Sequence, residues 1–181
     1  MAKNPWKTLS SRVAYQNAWI QVREDEVLRP DGKPGIYGVV GVRPSAGIVA
    51  LNDRDEIVLV GQWRYTVNHY SWEIPRGGSH PGETELLAVA KRELAEEAGL
   101  LAKNWREFGR VDNANGVNDD SQTFYLATDL SETERCPDPE EEIIVEWRPF
   151  REAVKMAMDG RITEVDSVAA ILMVACMRSG W

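Results

Sequence analysis

The sequence is short of cysteine, histidine, basic charge and long apolar runs, and each shortage narrows what the chain can be. Its two cysteines, Cys136 and Cys176, form neither a CxxC pair nor a disulfide framework, so they read as inert thiols in a reducing compartment. The two histidines, His69 and His80, lack companions at metal-ligand spacing and read as structural or solvent-exposed. The longest apolar stretch, Val168–Met177, falls well short of the about 20 residues a membrane helix needs. The opening Met-Ala-Lys-Asn-Pro-Trp has no apolar core of a secretory leader. A soluble cytoplasmic protein with no membrane partner is the expectation. With 21 Lys and Arg against 29 Asp and Glu, the net charge is −8, which argues against a general nucleic-acid binder.

An acidic chain still binds phosphorylated small molecules when divalent cations invert the local charge. Much of the acidity here is local, in Glu93–Glu97, Asp119–Asp120 and Asp138–Glu142. Tryptophan, by contrast, is plentiful at seven residues, enough for core and interface packing and for one ring to stack on a base or sugar. The length of 181 residues suits one ordinary domain with a small appended element.

Residues 11–28 alternate loosely, Pro30-Asp31-Gly32 makes a turn, and Ile36–Val42 is extended again, so residues 11–42 read as a β-hairpin or meander. Further strands are expected at Ala46–Leu51, Ile57–Gly61 and Tyr70–Ile74, followed by a long loop marked by Pro75 and the glycines at 77, 78 and 82. From Thr84 to Ala98 the apolar residues recur at three- and four-residue steps, an amphipathic helix closed by Gly99. Strands near Arg106–Val111, Thr123–Ala127 and Ile143–Trp147 and helices over Phe150–Met158 and Val165–Met177 complete the chain. Strands and helices do not alternate regularly, so the fold class is α+β rather than doubly wound. The domain boundaries are 1–45 for the N-terminal β segment and 46–181 for the remainder.

On the helix, Glu93 and Glu97 lie about 40° apart, with Glu96 within about 100° of both. Three carboxylates so close repel one another, and a hard cation with a preference for oxygen relieves them. On spacing alone, a solvated acidic face stands beside that reading.

The surrounding string is Gly77, Glu83 and then Arg92-Glu-Leu-Ala-Glu-Glu-Ala-Gly-Leu100. It resembles the loop–helix–loop motif of the Nudix hydrolase superfamily. Eight residues rather than the family's seven separate Glu83 from Arg92, which leaves Glu85 as a second candidate partner for Arg92. Val58–Tyr65, Trp72-Glu-Ile-Pro75, the Pro-Asp-Gly turn and Met158-Asp-Gly-Arg-Ile162 are similar to the ADP-ribose pyrophosphatase and nucleoside-diphosphate-sugar hydrolase branch. The Asn113–Asp120 loop keeps only the glycine of that branch's Ser-Pro-Gly.

The resemblance implies an α/β/α sandwich with a mixed sheet, preceded by an N-terminal antiparallel β hairpin or meander, and a homodimer through the N-terminal strands. It implies hydrolysis of a nucleotide sugar, ADP-ribose or GDP-mannose among them, to a nucleoside monophosphate and a sugar phosphate. Other nucleoside diphosphate derivatives (dinucleoside polyphosphates, NADH, coenzyme A) and a non-catalytic ligand-sensing module are the alternatives. The implied cofactor is Mg²⁺, with Mn²⁺ able to replace it. It would be held by Glu93 and Glu97, by Glu96 as a third ligand or a base, and by the backbone carbonyl of Arg76. Arg92 counts with the catalytic residues. Glu141 is the first choice for a general base on a mobile acidic loop and Asp120 the second. Arg64 is set against a substrate phosphate or a surface ion pair, and Trp19 against the base or ordinary packing.

Overall fold

Three strands open the chain. In the computed structural model, which describes residues 3–137 and 142–180, β1 (Lys7–Gln16), β2 (Gln21–Leu28) and β3 (Pro34–Gly41) pair antiparallel in that order. This is the antiparallel meander expected from the sequence. The single extended stretch read over 11–28 is broken, however, because the Asn17 side-chain oxygen accepts from the backbone N–H groups of Trp19 and Ile20, at 2.9 and 2.8 Å. An asparagine can turn the chain this way without glycine or proline, which is why the punctuation was not visible. The Pro30-Asp31-Gly32 turn forms with Gly32 at φ +78°, a conformation that favours a residue without Cβ.

The meander forms one compact unit with Asp112–Ser121. Val40 donates to the Val117 carbonyl at 2.9 Å, and the Tyr37 hydroxyl donates to the Gly116 carbonyl at 3.0 Å. Trp6 packs edge-on against Tyr37.

The second unit, Ser45–Val111 with Gln122–Trp181, holds the two remaining sheets and the helices. Its strands are β4 (Ser45–Ala50), β5 (Glu56–Arg64), β6 (His69–Glu73), β7 (Arg76–Gly78), β8 (Leu100–Asp112), β9 (Ser121–Glu132) and β10 (Ile144–Pro149). One sheet runs β7-β4-β9-β8, mixed because β4 pairs parallel with β9 and antiparallel with β7. The other runs β10-β5-β6 and is antiparallel. The helices are α1 (Leu86–Ala98), α2 (Phe150–Met158) and α3 (Val165–Ser179).

Because side chains alternate along a strand, β4, β5 and β9 serve two cores. Ala46, Ile48, Ala50, Val58 and Tyr125 turn toward Val89, Ala90, Leu94 and Ala98 of α1. Val49, Leu51, Ile57, Leu59 and Phe124 turn toward α2 and α3 through Phe150, Ala153, Ala170, Ile171 and Val174. The result is helix, sheet and helix in layers, the sandwich expected from the sequence. Among the described residues, no helix is long and apolar enough to cross a membrane.

Element boundaries differ from the sequence reading in several places. Residues 76–78, read as loop, form β7 because their backbone completes the edge of β4. Helix α1 begins at Leu86 rather than Thr84. Strands β8 and β9 extend well beyond Arg106–Val111 and Thr123–Ala127, through largely exposed residues that carry no hydrophobic alternation. Phe124 is fully buried and stacks on Phe108 with centroids 5.8 Å apart. Phe124→Ala is expected to lower the unfolding free energy by about 3–5 kcal/mol in a urea titration.

Candidate active site

Helix α1 turns one face to the core and the other to a glycine loop. Leu94, Val89 and Ala90 are fully buried on the apolar face. Gly99, at φ +68°, ends the helix and returns its N–H to Ala95 and Leu94. On the second face, Glu93 and Glu97 are also buried, at 8% and 4% exposure, while Glu96 is half-buried. Buried carboxylates need donors, and the structure supplies them from two places.

The first is Arg92. One of its amino nitrogens lies 2.7 Å from Glu93 and 2.9 Å from Glu96, and the other donates to the Gly78 carbonyl at 3.0 Å and to Glu83 at 3.3 Å. The extra residue between Glu83 and Arg92 therefore does not prevent their pairing. The 79–85 loop absorbs it, with Glu83 accepting from the His80 N–H at 2.8 Å and donating its own N–H to the His80 carbonyl at 3.0 Å. That backbone bond, opposed by slight desolvation and helped by Arg92, holds the Glu83 carboxyl below its ordinary range. Burial pulls the Arg92 guanidinium down, but Glu93, Glu96 and Glu83 together raise it further above its already high value.

The second donor is the backbone N–H of Arg76, 3.0 Å from Glu97 Oε2. Next to it, a Cβ on Gly77 would overlap the Glu93 carboxylate, so a larger residue here would displace that side chain.

The Arg76 side chain runs the other way, into a charge cluster that the sequence reading did not assign. Glu73 is 1% exposed and takes both Nε and Nη2 of Arg64, at 2.8 and 2.6 Å, with Arg76 Nε at 3.4 Å. Arg76 also lies 3.3 Å from Asp166 and 3.7 Å from Glu164. Desolvation raises the Glu73 carboxyl, yet Arg64, Arg76 and the Ser71 hydroxyl outweigh it and leave the group below the ordinary value. For Arg76 the balance is similar: burial lowers it, and Glu164, Glu73 and Asp166 bring it net upward. Arg64, Ser71, Glu73, Arg76, Thr163 and Glu164 line part of a hollow of about 190 Å³. The only visible hint of this cluster was the Trp72-Glu-Ile-Pro75 string. A glutamate flanked by tryptophan and isoleucine within a strand is out of place unless it is paired.

Arg64, Arg76, Arg92, Glu93, Glu96 and Glu97 thus share one unit, whereas Trp19 and Asp120 lie in the other. Trp19 is 67% exposed. Asp120 accepts from the Asn113 side chain at 3.1 Å. Glu141 lies outside the described residues.

Among the described residues, no three acidic, histidine or cysteine side chains are gathered closely enough to enclose a metal ion as they stand. The cation bridging Glu93 and Glu96 is Arg92. The atoms that Glu93, Glu96 and Glu97 could offer a metal are all oxygen, which fits a hard divalent cation and not a thiophilic one.

A family model for the Nudix domain matches residues 41–167. The chain belongs to the Nudix family. Ahead of the Nudix domain, residues 6–40 match the nucleoside diphosphate sugar hydrolase N-terminal domain. An ADP-ribose pyrophosphatase of Mycobacterium tuberculosis (strain ATCC 25618 / H37Rv) is 33% identical over 183 residues, spanning 100% of this chain and 88% of that protein. One from Bacillus subtilis (strain 168) is 27% identical over 167 residues, 91% of this chain and 90% of that one. A crystal structure of an ADP compounds hydrolase superposes with a TM-score of 0.86 over 99% of this chain and 98% of the other, at 20% identity, a likeness of fold. As a Nudix protein with relatives of this kind the chain is a pyrophosphohydrolase, and Nudix hydrolases generally use a divalent metal.

Two outcomes test the geometry. Gly77→Ala is expected to displace Glu93 and abolish most activity while leaving the far-UV circular dichroism unchanged. Glu73→Gln leaves Arg64 and Arg76 short of a charge and is expected to cost about 1.5–3 kcal/mol at pH 7. Since Glu73 titrates below 4.5 in the fold, its contribution is present above that pH and lost as the pH falls through the lowered value. Parent and variant stabilities, measured by denaturation in metal-free buffer, should therefore converge in acid.

Proposed function

We propose that this enzyme hydrolyses the pyrophosphate bond of nucleoside diphosphate sugars, ADP-ribose foremost, to a nucleoside monophosphate and a sugar phosphate. The observation that carries the reading is the burial of Glu93 and Glu97 against the glycine loop, with Glu96 beside them on the same helix. The relatives named ADP-ribose pyrophosphatase support the choice of substrate.

Glu93 and Glu97 would be the principal ligands of Mg²⁺ or Mn²⁺, with Glu96 a third ligand or a base and the Arg76 carbonyl a further oxygen. Bound there, such an ion would offset the charge of the diphosphate and make a water more acidic. The chain's own residues do the placing. The Arg76 N–H holds one oxygen of Glu97, and Arg92, tethered to Gly78 and Glu83, keeps Glu93 and Glu96 from splaying apart. Arg64, oriented by its two bonds to Glu73, presents positive charge to a substrate phosphate. Glu141 takes the proton of the attacking water, with Asp120 as the second choice, and Trp19 stacks on the base.

We further propose a homodimer through the N-terminal strands. Strand β1 is exposed throughout and displays Leu9, Val13 and Tyr15, each more than half exposed, and Ile36 of β3 is 70% exposed. Apolar residues on an open sheet edge favour a partner. The exposed, unpaired Cys136 and Cys176 suit a reducing cytoplasm.

The test is phosphate-coupled hydrolysis of ADP-ribose, GDP-mannose, NADH and dinucleoside polyphosphates by the parent and by Glu97→Gln. ADP-ribose is expected to be the best substrate, and the variant should lose at least about 100-fold in kcat. An undiminished Glu97→Gln would remove the metal role, and preference for a dinucleoside polyphosphate would remove the substrate assignment.

A further inference from the structure

We propose that Asp166, at the start of α3, is a positioning residue for Glu97 and acts through Arg76. The inference rests on the reading of Glu97 as a metal ligand. Glu97 Oε2 is held by the backbone N–H of Arg76, and an amide points wherever its chain is fixed. Beyond its pairing with β4, the chain here has three further ties. Ile48 donates to the Pro75 carbonyl at 2.9 Å, and Ile74 donates to the Ser167 hydroxyl at 3.0 Å. The third tie is the Arg76 side chain, with Nη1 3.3 Å from Asp166 Oδ2.

Asp166 is 1% exposed and is locked in place itself. Its N–H donates to Glu164 Oε1 at 3.0 Å, while the Ser167 N–H and hydroxyl donate to Glu164 Oε2 at 2.8 and 2.7 Å. Buried ion pairs are poor stabilisers, because desolvation offsets most of their attraction, and their best-attested use is to select one arrangement. An aspartate so placed, 90 residues along the chain from its arginine, fits that use. It links the first turn of α3 to a carboxylate on α1. Outer partners of metal ligands commonly set affinity in this way.

The experiment is calorimetric titration of Mn²⁺ into the metal-free full chain. Asp166→Asn keeps the shape and removes the charge, and it should weaken Mn²⁺ binding about 10-fold with unchanged circular dichroism. In an Arg76→Gln background the same substitution should have no further effect, as a pair acting in series requires. Glu164→Gln, which removes a neighbouring charge from the same guanidinium, is the milder variant should Asp166→Asn fail to fold, and it should weaken Mn²⁺ binding in the same direction. Asp159→Asn, the same chemistry in an exposed pair with Arg161, should leave the affinity unchanged. Parent-like Mn²⁺ affinity in a folded Asp166→Asn, or an equal further loss in the Arg76→Gln background, overturns the positioning role. If Glu97→Gln loses Mn²⁺ while Asp166→Asn does not, only this inference falls. If Glu97→Gln binds Mn²⁺ like the parent, the ligand assignment falls with it.

Discussion

A helix that buries carboxylates on one side and leucine on the other must find positive charge or N–H groups for the first side before it can pack the second. Helix α1 meets that demand with its own Arg92 and with an amide from the preceding glycine loop. Gly77 permits the approach and Gly78 accepts from the far end of the same guanidinium. The loop, the helix and strand β7 are therefore a single constraint, and β4 holds them to the rest of the sheet.

The charges beside α1 and β7 fall into two groups joined at Arg76. On one side Arg92 gathers Glu83, Glu93 and Glu96; on the other Arg64 and the Arg76 side chain gather Glu73, Glu164 and Asp166. The first group is partly open and holds the carboxylates to which we assign the metal. The second is more deeply enclosed and, among the described residues, contains the most completely buried acids of the unit, Glu73 and Asp166. Enclosure of that kind is costly, and a rigid platform under the reacting groups is what it yields in return.

The sequence was most readable where a period or a spacing encodes the physics. Helix α1, its glycine cap and the face shared by Glu93, Glu96 and Glu97 follow from 3.6 residues per turn. The layered architecture follows from apolar runs such as Ala46–Leu51, whose residues serve opposite cores in alternation. Elements that owe their form to distant partners were not readable. Strand β7 is three residues of arginine and glycine, extended only because β4 lies beside it. Asp166 has nothing local to mark it and Glu73 only its apolar neighbours, since their arginines come from other elements. The Asn17 turn was local but atypical, made by a side chain where Gly or Pro usually serves.

The outer strand of the N-terminal meander is not a uniform ribbon. Its pairing with β2 slips between Thr8 and Ser10 and again between Val13 and Tyr15. Irregularities of this type twist a strand away from flat stacking. A strand added from outside would meet no straight ladder there, so the irregular edge works against open-ended strand addition despite its exposed apolar residues.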